Sequence, residues 1–312
     1  MRIAFVFPGQ GSQYVGMGKE LFDRYTEARE TYLEANEALG FDLAAVCFTG
    51  PEDMLKKTAV TQPAILTTSI AILRVLQAVS GLQPSVSAGH SLGEYAALVA
   101  AGALSFNDAV KVVRNRGEFM EEAAPAGSGG MAAILGLERE KVEEVCREAA
   151  SGIVEVANYN CPGQIVIAGE AGALEQAMAM AREKGAKRVV PLAVSGPFHS
   201  SLMAPAGEKL AGVLAEINIG DPRIPVIANI SGDFVRTAEE IRHSLIKQVS
   251  GSVRWEDSVL KMSANGVTHF VEVGPGRVLS GLIKKIVPAE QLYNVEDINS
   301  LEKTVDNLKG VI

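Results

Sequence analysis

The stretch Ser87-Ala88-Gly89-His90-Ser91-Leu92-Gly93-Glu94-Tyr95 sets a serine between two glycines in the pattern G-x-S-x-G, with a histidine just before it. The pentapeptide alone is common, and its surroundings give it weight. Residues 85–88 read as a short strand and residues 92–101 as a helix. Ser91 therefore falls on a strand-to-helix turn, where a nucleophile elbow forms. Glycines on both sides let the backbone turn sharply without Cβ clashes. A hydroxyl so placed stands at a helix N-terminus, where backbone N–H groups and the helix dipole favour a developing negative charge. The plainer reading, Ser91 as a helix N-cap, does not need both glycines, and the nucleophile reading is preferred.

A serine nucleophile needs a base, and the chain has 4 histidines. His90 adjoins Ser91 and projects away from it on a tight turn. His243 lies among Arg242 and Lys247 on a polar helix, and His269 sits inside an expected strand. His199, in Ser195-Gly196-Pro197-Phe198-His199-Ser200-Ser201, follows a Gly-Pro break where the texture of the chain changes. Segments at such boundaries line clefts, so His199 is the preferred base. No acid stands out between Ser91 and His199 as a third member, because Glu118, Glu121 and Glu122 read as a solvated helix face. A backbone carbonyl accepting from Nδ1–H would orient the imidazole instead. An ordinary esterase gains from a carboxylate there, so the missing acid weighs against one.

The elements that must hold these residues alternate. Strands are expected at 3–7, 85–88, 224–230 and 267–273, and helices at 18–39, 62–79, 92–101, 107–123, 203–217, 241–249 and 254–264. Alternation of this kind implies a parallel sheet covered on both faces. Between them, after the turn signal at 125–130, the order is β-α-β-β-α-β: strands at 131–135, 153–157, 164–168 and 187–194, helices at 138–149 and 171–184. That is the ferredoxin-like arrangement. The expected architecture is α/β: a large hydrolase-like parallel-sheet domain from residues 1–125 and 197–312, with a ferredoxin-like subdomain inserted at 126–196.

The 312 residues carry 47% hydrophobic and 21% charged side chains, which fits a globular protein with a sizeable core. With 29 basic against 37 acidic residues, net charge −8, a general nucleic-acid binder is disfavoured. Cys47, Cys146 and Cys161 are too scattered for a disulfide framework or a zinc site, so a reducing compartment is expected and no metal is assigned. The apolar run at 3–7 is too short for a signal-peptide core. The run at 96–104 is too short to span a bilayer. The expected location is the cytoplasm.

Seven segments, in order, resemble one family: F-P-G-Q-G-S-Q at 7–13, T-Q-P-A-I at 61–65, G-H-S-L-G-E at 89–94, R-G-E-F-M at 116–120, N-Y-N-C-P-G-Q at 158–164, P-F-H-S at 197–200 and V-E-V-G-P-G at 271–276. Together they are similar to the malonyl-CoA:acyl carrier protein transacylases. The resemblance implies ping-pong transfer of a malonyl group from malonyl-CoA to the phosphopantetheine thiol of acyl carrier protein, with no bound cofactor. It implies Ser91 as nucleophile, His199 as base, and the Gln248 main-chain carbonyl as the group orienting His199. The family commonly has a proline before the valine where this chain has Gly251-Ser252-Val253-Arg254-Trp255. The backbone N–H groups of Gln10 and Leu92 become the oxyanion hole. Arg116 becomes the clamp for the malonyl carboxylate, since a planar guanidinium can hold a carboxylate with two parallel bonds. Phe198 would crowd a branch at the acyl Cα, and Asn160 is a polar pocket residue. Lys187-Arg188 and Lys284-Lys285 are the clusters expected to meet the acidic carrier. A chain with no fused module points to fatty-acid rather than polyketide synthesis. Two rivals remain open: a serine thioesterase or esterase, and an inactive acyltransferase-like scaffold that only docks carrier protein.

Overall fold

The computed structural model describes residues 2–125 and 127–309. Ala126, the first residue of the expected insertion, and Met1 lie outside them, as do residues 310–312. The described strands are β1 (Ile3–Phe7), β2 (Val86–Gly89), β3 (Gly129–Leu135), β4 (Val154–Cys161), β5 (Gln164–Glu170), β6 (Arg188–Pro191), β7 (Val226–Ala228), β8 (Asp233–Val235), β9 (His269–Val273) and β10 (Gln291–Val295). They form a six-stranded sheet in the order β10-β9-β1-β2-β7-β8 and a four-stranded sheet in the order β4-β5-β3-β6.

In the larger sheet every pair is parallel except β7–β8 at one edge. All five residues of β1 are buried, as expected of a parallel strand covered on both faces. Its side chains alternate between two cores. Ile3, Phe5 and Phe7 join the core that holds the helix Thr58–Ser80. Ala4 and Val6 join the opposite one, built around Trp255 and Phe270. The strand order changes direction at β1, which lies between β9 and β2. In open α/β sheets ligands bind outside the carboxyl ends of strands at such a point. Here those ends lead into Pro8-Gly9-Gln10 and His90-Ser91.

The smaller sheet is wholly antiparallel, with its own core of Ile134, Val142, Ile167 and Ala177. Its strand order is that of a ferredoxin-like unit. β4 is tied to the rest of the molecule. Tyr159 N–H donates to Val253 O at 2.9 Å and Val253 N–H to Ala157 O at 2.8 Å.

Several boundaries depart from expectation. The helix expected over 18–39 is two, Lys19–Arg24 and Thr26–Leu39, because Tyr25 is extended at φ −116, ψ 133. The second long helix begins at Thr58 rather than at 62, so Pro63 lies inside it instead of in its first turn. Gly129-Gly130 are not linker but open β3, where a Cβ on Gly129 would strike Gly169 O at 2.4 Å. β6 stops at Pro191, which frees Leu192, Ala193 and Val194 to line a cavity. The helices Leu43–Thr49, Glu52–Leu55, Val278–Ile286 and Ile298–Leu308, with β8 and β10, had no counterpart in the sequence reading. The helix Thr58–Ser80 is long and apolar enough to cross a membrane, but 94% of its most apolar window is buried within the protein.

Candidate active site

Ser91 sits at the carboxyl end of β2 with φ +51, a left-handed conformation that costs an L side chain energy. The glycines beside it are required by contact. A Cβ on Gly89 would lie 2.0 Å from the Gly93 carbonyl, and one on Gly93 2.1 Å from Phe7 O. The turn thus packs against the end of β1 with no room for a side chain. Asn229, just past β7, brackets it: its Oδ1 accepts from Ser91 N–H at 2.6 Å and its Nδ2 donates to Gly89 O at 2.7 Å.

His199 comes from the segment after the smaller sheet and also carries positive φ, +60. Its Nε2 lies 2.7 Å from Ser91 Oγ and its Nδ1 lies 2.9 Å from Gln248 O. A carbonyl only accepts, so Nδ1 carries the proton and Nε2 is left to accept from the serine hydroxyl. Burial first, and the Arg116 guanidinium second, push the His199 pKa down to about 3. The imidazole is neutral at neutral pH, as a base must be.

Arg116, on the helix Phe106–Ala123, is 1% exposed. Its Nη1 donates to Gln62 Oε1 at 2.8 Å, and its Nη2 to Ser91 Oγ at 3.1 Å and Gln248 Oε1 at 3.0 Å. All three acceptors are neutral oxygens, and Nε has none. Burial lowers its pKa from the ordinary value, but a guanidinium remains charged at neutral pH. A buried cation with no carboxylate hydrogen-bonded to it, touching a serine hydroxyl, has the chemistry to receive an anion at that hydroxyl.

Ser91, Arg116, His199, Gln10 and Phe198 line one cavity of about 360 Å³, together with Met120, Met131 and Val194. Among the described residues, neither the Gln10 nor the Leu92 N–H is taken by another protein group. The Ser91 N–H is spent on Asn229. Asn160 does not line this cavity. It lines the adjoining one, where its Oδ1 meets His90 Nε2 at 2.9 Å. His243 is exposed, and His269 stacks on Tyr293 at 6.2 Å. Glu121 is not simply solvated: it accepts from Thr58 N–H at 2.6 Å. Among the described residues no group of three or more His, Cys, Asp or Glu side chains is placed to hold a metal ion.

The acyl transferase domain family matches this chain over residues 4–309. The chain belongs to that family. It is 51% identical over 310 residues to the malonyl CoA-acyl carrier protein transacylase of Bacillus subtilis, covering 99% of this chain and 98% of that one. The Escherichia coli K12 protein of the same name is 50% identical over 287 residues, covering 92% and 93%. Among solved structures, a malonyl-transacylase in complex with a type II PKS acyl-carrier protein superposes with a TM-score of 0.96 at 46% identity, covering 98% of this chain and all of that one. The transacylase from Clostridium perfringens also superposes at 0.96 with 46% identity, over 100% of this chain and 98% of that one.

In this acyltransferase four polar residues around the serine were not singled out from the sequence: Gln62, Glu94, Asn229 and the side chain of Gln248. Gln62 lies inside T-Q-P-A-I and Glu94 inside G-H-S-L-G-E, and neither motif by itself points to a role for them. Asn229 lies within the strand expected over 224–230, a polar residue in an otherwise apolar run. What marks them is burial with side-chain hydrogen bonds to distant residues, and such partners are not visible along a chain.

Proposed function

We propose that this acyltransferase moves a malonyl group from malonyl-CoA to the phosphopantetheine thiol of acyl carrier protein through a seryl ester. Ser91 Oγ attacks the thioester carbonyl carbon while His199 Nε2 takes the hydroxyl proton. The Gln248 carbonyl, held by Nδ1–H, keeps the imidazole in the tautomer that can do this. The negative oxygen settles on the Gln10 and Leu92 N–H groups, which reach the site from the ends of β1 and β2. The carbon–sulfur bond then breaks, and the coenzyme A sulfur leaves with the proton from His199. In the second half His199 takes the proton of the carrier thiol, whose sulfur attacks the ester, and returns it to Ser91.

Arg116 binds the free carboxylate of the malonyl group, and this observation carries the reading: its guanidinium lies 3.1 Å from the nucleophile and faces only neutral acceptors. An acetyl group leaves that charge unanswered. Phe198 walls the acyl pocket against a branch at Cα. Asn160 offers a polar contact in the adjoining cavity. The step draws on side chains and main-chain donors of the chain itself, and no cofactor is assigned.

The exposed pairs Lys187-Arg188 and Lys284-Lys285 are read as the ground on which an acidic carrier lands. Residues 1–125 with 197–312 are read as the catalytic α/β domain and 126–196 as the inserted subdomain. The cytoplasm and a supply role in fatty-acid synthesis complete the reading. The test is intact mass after mixing with malonyl-CoA. An adduct of about 86 Da, one malonyl group on the nucleophile, is expected, and holo carrier protein should remove it. An adduct lost equally fast to water alone would favour a thioesterase.

A further inference from the structure

Glu94 is 2% exposed and pairs with no cation among the described residues, yet one of its oxygens holds two elements of the site. Oε2 accepts from Gln248 Nε2 at 2.8 Å and from Asn229 N–H at 2.9 Å. The Gln248 amide has two ends, and a primary amide can turn either toward a neighbour. Its Nε2 end meets only acceptors, Glu94 Oε2 and, at 3.0 Å, Ser91 O. Its Oε1 end must then face Arg116 Nη2, at 3.0 Å. With the amide turned over, Nε2 would confront a guanidinium and Oε1 two acceptors, all three contacts repulsive. The second arm runs through Asn229 to the Ser91 N–H.

We propose that Glu94 is a positioning residue for acyl selectivity: its acceptor edge fixes the Gln248 amide, and the amide fixes the direction in which Arg116 presents its guanidinium to the acyl carboxylate. This rests on the reading of Arg116 as the carboxylate clamp. The groups facing Glu94 are Gln248 on the helix Ala238–Ser250, Asn229 after β7, and Arg116 on the helix Phe106–Ala123. Tyr95 follows Glu94 on its own helix. The role needs a lone pair at the place of Oε2. It does not need a negative charge, since the hydrogen-bonded link from Glu94 to Arg116 runs through the neutral Gln248 amide.

That distinction sets the test. Glu94→Gln removes the charge but keeps an acceptor at the right distance. Glu94→Asp keeps the charge but withdraws the acceptor by one methylene. The measurement is the ratio of seryl-ester formation from malonyl-CoA to that from acetyl-CoA, by intact mass, in variants that melt as cooperatively as the wild type. Glu94→Gln should rescue the ratio to within about threefold, whereas Glu94→Asp should lower it about tenfold or more, the range for a lost bond to a charged group. A lower overall rate alone would reflect the arm to Ser91; the ratio reports the arm to Arg116. In a Gln248→Ala background, which keeps the main-chain carbonyl, Glu94→Asp should have no further effect on the ratio. The inference is overturned if Glu94→Gln collapses the ratio, if Glu94→Asp preserves it, or if the Glu94→Asp and Gln248→Ala losses multiply. Should the aspartate variant not fold, a collapsed ratio in Glu94→Gln still overturns it. A wild type that forms no malonyl adduct would refute the proposed function instead, so the two failures are distinct.

Discussion

On the proposed reading, Arg116 is one buried side chain that sets both affinity and selectivity. Its neutral hydrogen-bond acceptors offset part of the desolvation, and on that reading the incoming carboxylate fills the remaining deficit. Arg116→Ala should therefore reduce malonyl transfer by about a hundredfold or more, the cost of a lost charge-assisted pair, while acetyl transfer is kept or raised. Acyl-enzyme formation with both thioesters measures this, and equal losses would remove Arg116 from the clamp. Ser91→Ala should give no adduct with either thioester. The serine was legible in the sequence because the elbow needs glycine at fixed offsets, and Arg116 was legible only through a motif. Gln62, Asn229 and Glu94 were not, because a buried polar residue is defined by partners far away in the chain: Asn229 meets Ser91 across 138 positions.

Among the elements, β1, β2, β7 and β9 of the larger sheet and most long helices were readable from periodicity. The errors fall where tertiary contact decides a boundary. β4 runs on to Cys161 because β5 pairs along its length, through register shifts at Val156/Asn158 and Tyr159/Cys161. β8 and β10 are short and lie at sheet edges, with too few buried positions to show alternation. On the proposed reading, the elbow is the element on which activity turns. Gly93→Ala would drive a Cβ into Phe7 O, 2.1 Å away, and β1 cannot retreat because β9 is paired on its other side. Overpacking of this kind costs about 1–3 kcal/mol, at times more. A lowered melting temperature should accompany a larger proportional loss of acyl-enzyme, and a variant with unchanged rate and stability would contradict the contact.

For the whole molecule, two buried titrating groups pull stability in opposite directions. His199 titrates at 6.5 when unperturbed and is pushed down to about 3 in the fold. The unfolded chain binds that proton more readily, so this contribution is present above 6.5 and is lost as pH falls through about 3. Burial raises Glu94 from 4.5 to about 7. Its contribution is fully present below 4.5 and is lost as pH rises through about 7. Glu94→Gln should thus gain in melting temperature relative to wild type between about pH 5 and about pH 8. A difference constant across that range would place the Glu94 proton outside the folded-state balance. At the surface, reversing Lys284 and Lys285 to glutamate should raise the KM for carrier protein and leave acylation by malonyl-CoA unchanged. Steady-state rates against each substrate separate the two.

The Ser91 N–H is committed to Asn229, so on the proposed reading the two donors for the oxyanion hang from different strands, Gln10 beyond β1 and Leu92 beyond β2. Those strands run side by side in the pairing that matches Phe7 with Gly89. The spacing between the donors is therefore a caliper whose jaws are two neighbouring strands, and the sheet sets its gap. A core substitution that slid one strand by a fraction of an ångström would leave a folded protein with every reactive side chain in place and nowhere to park the charge.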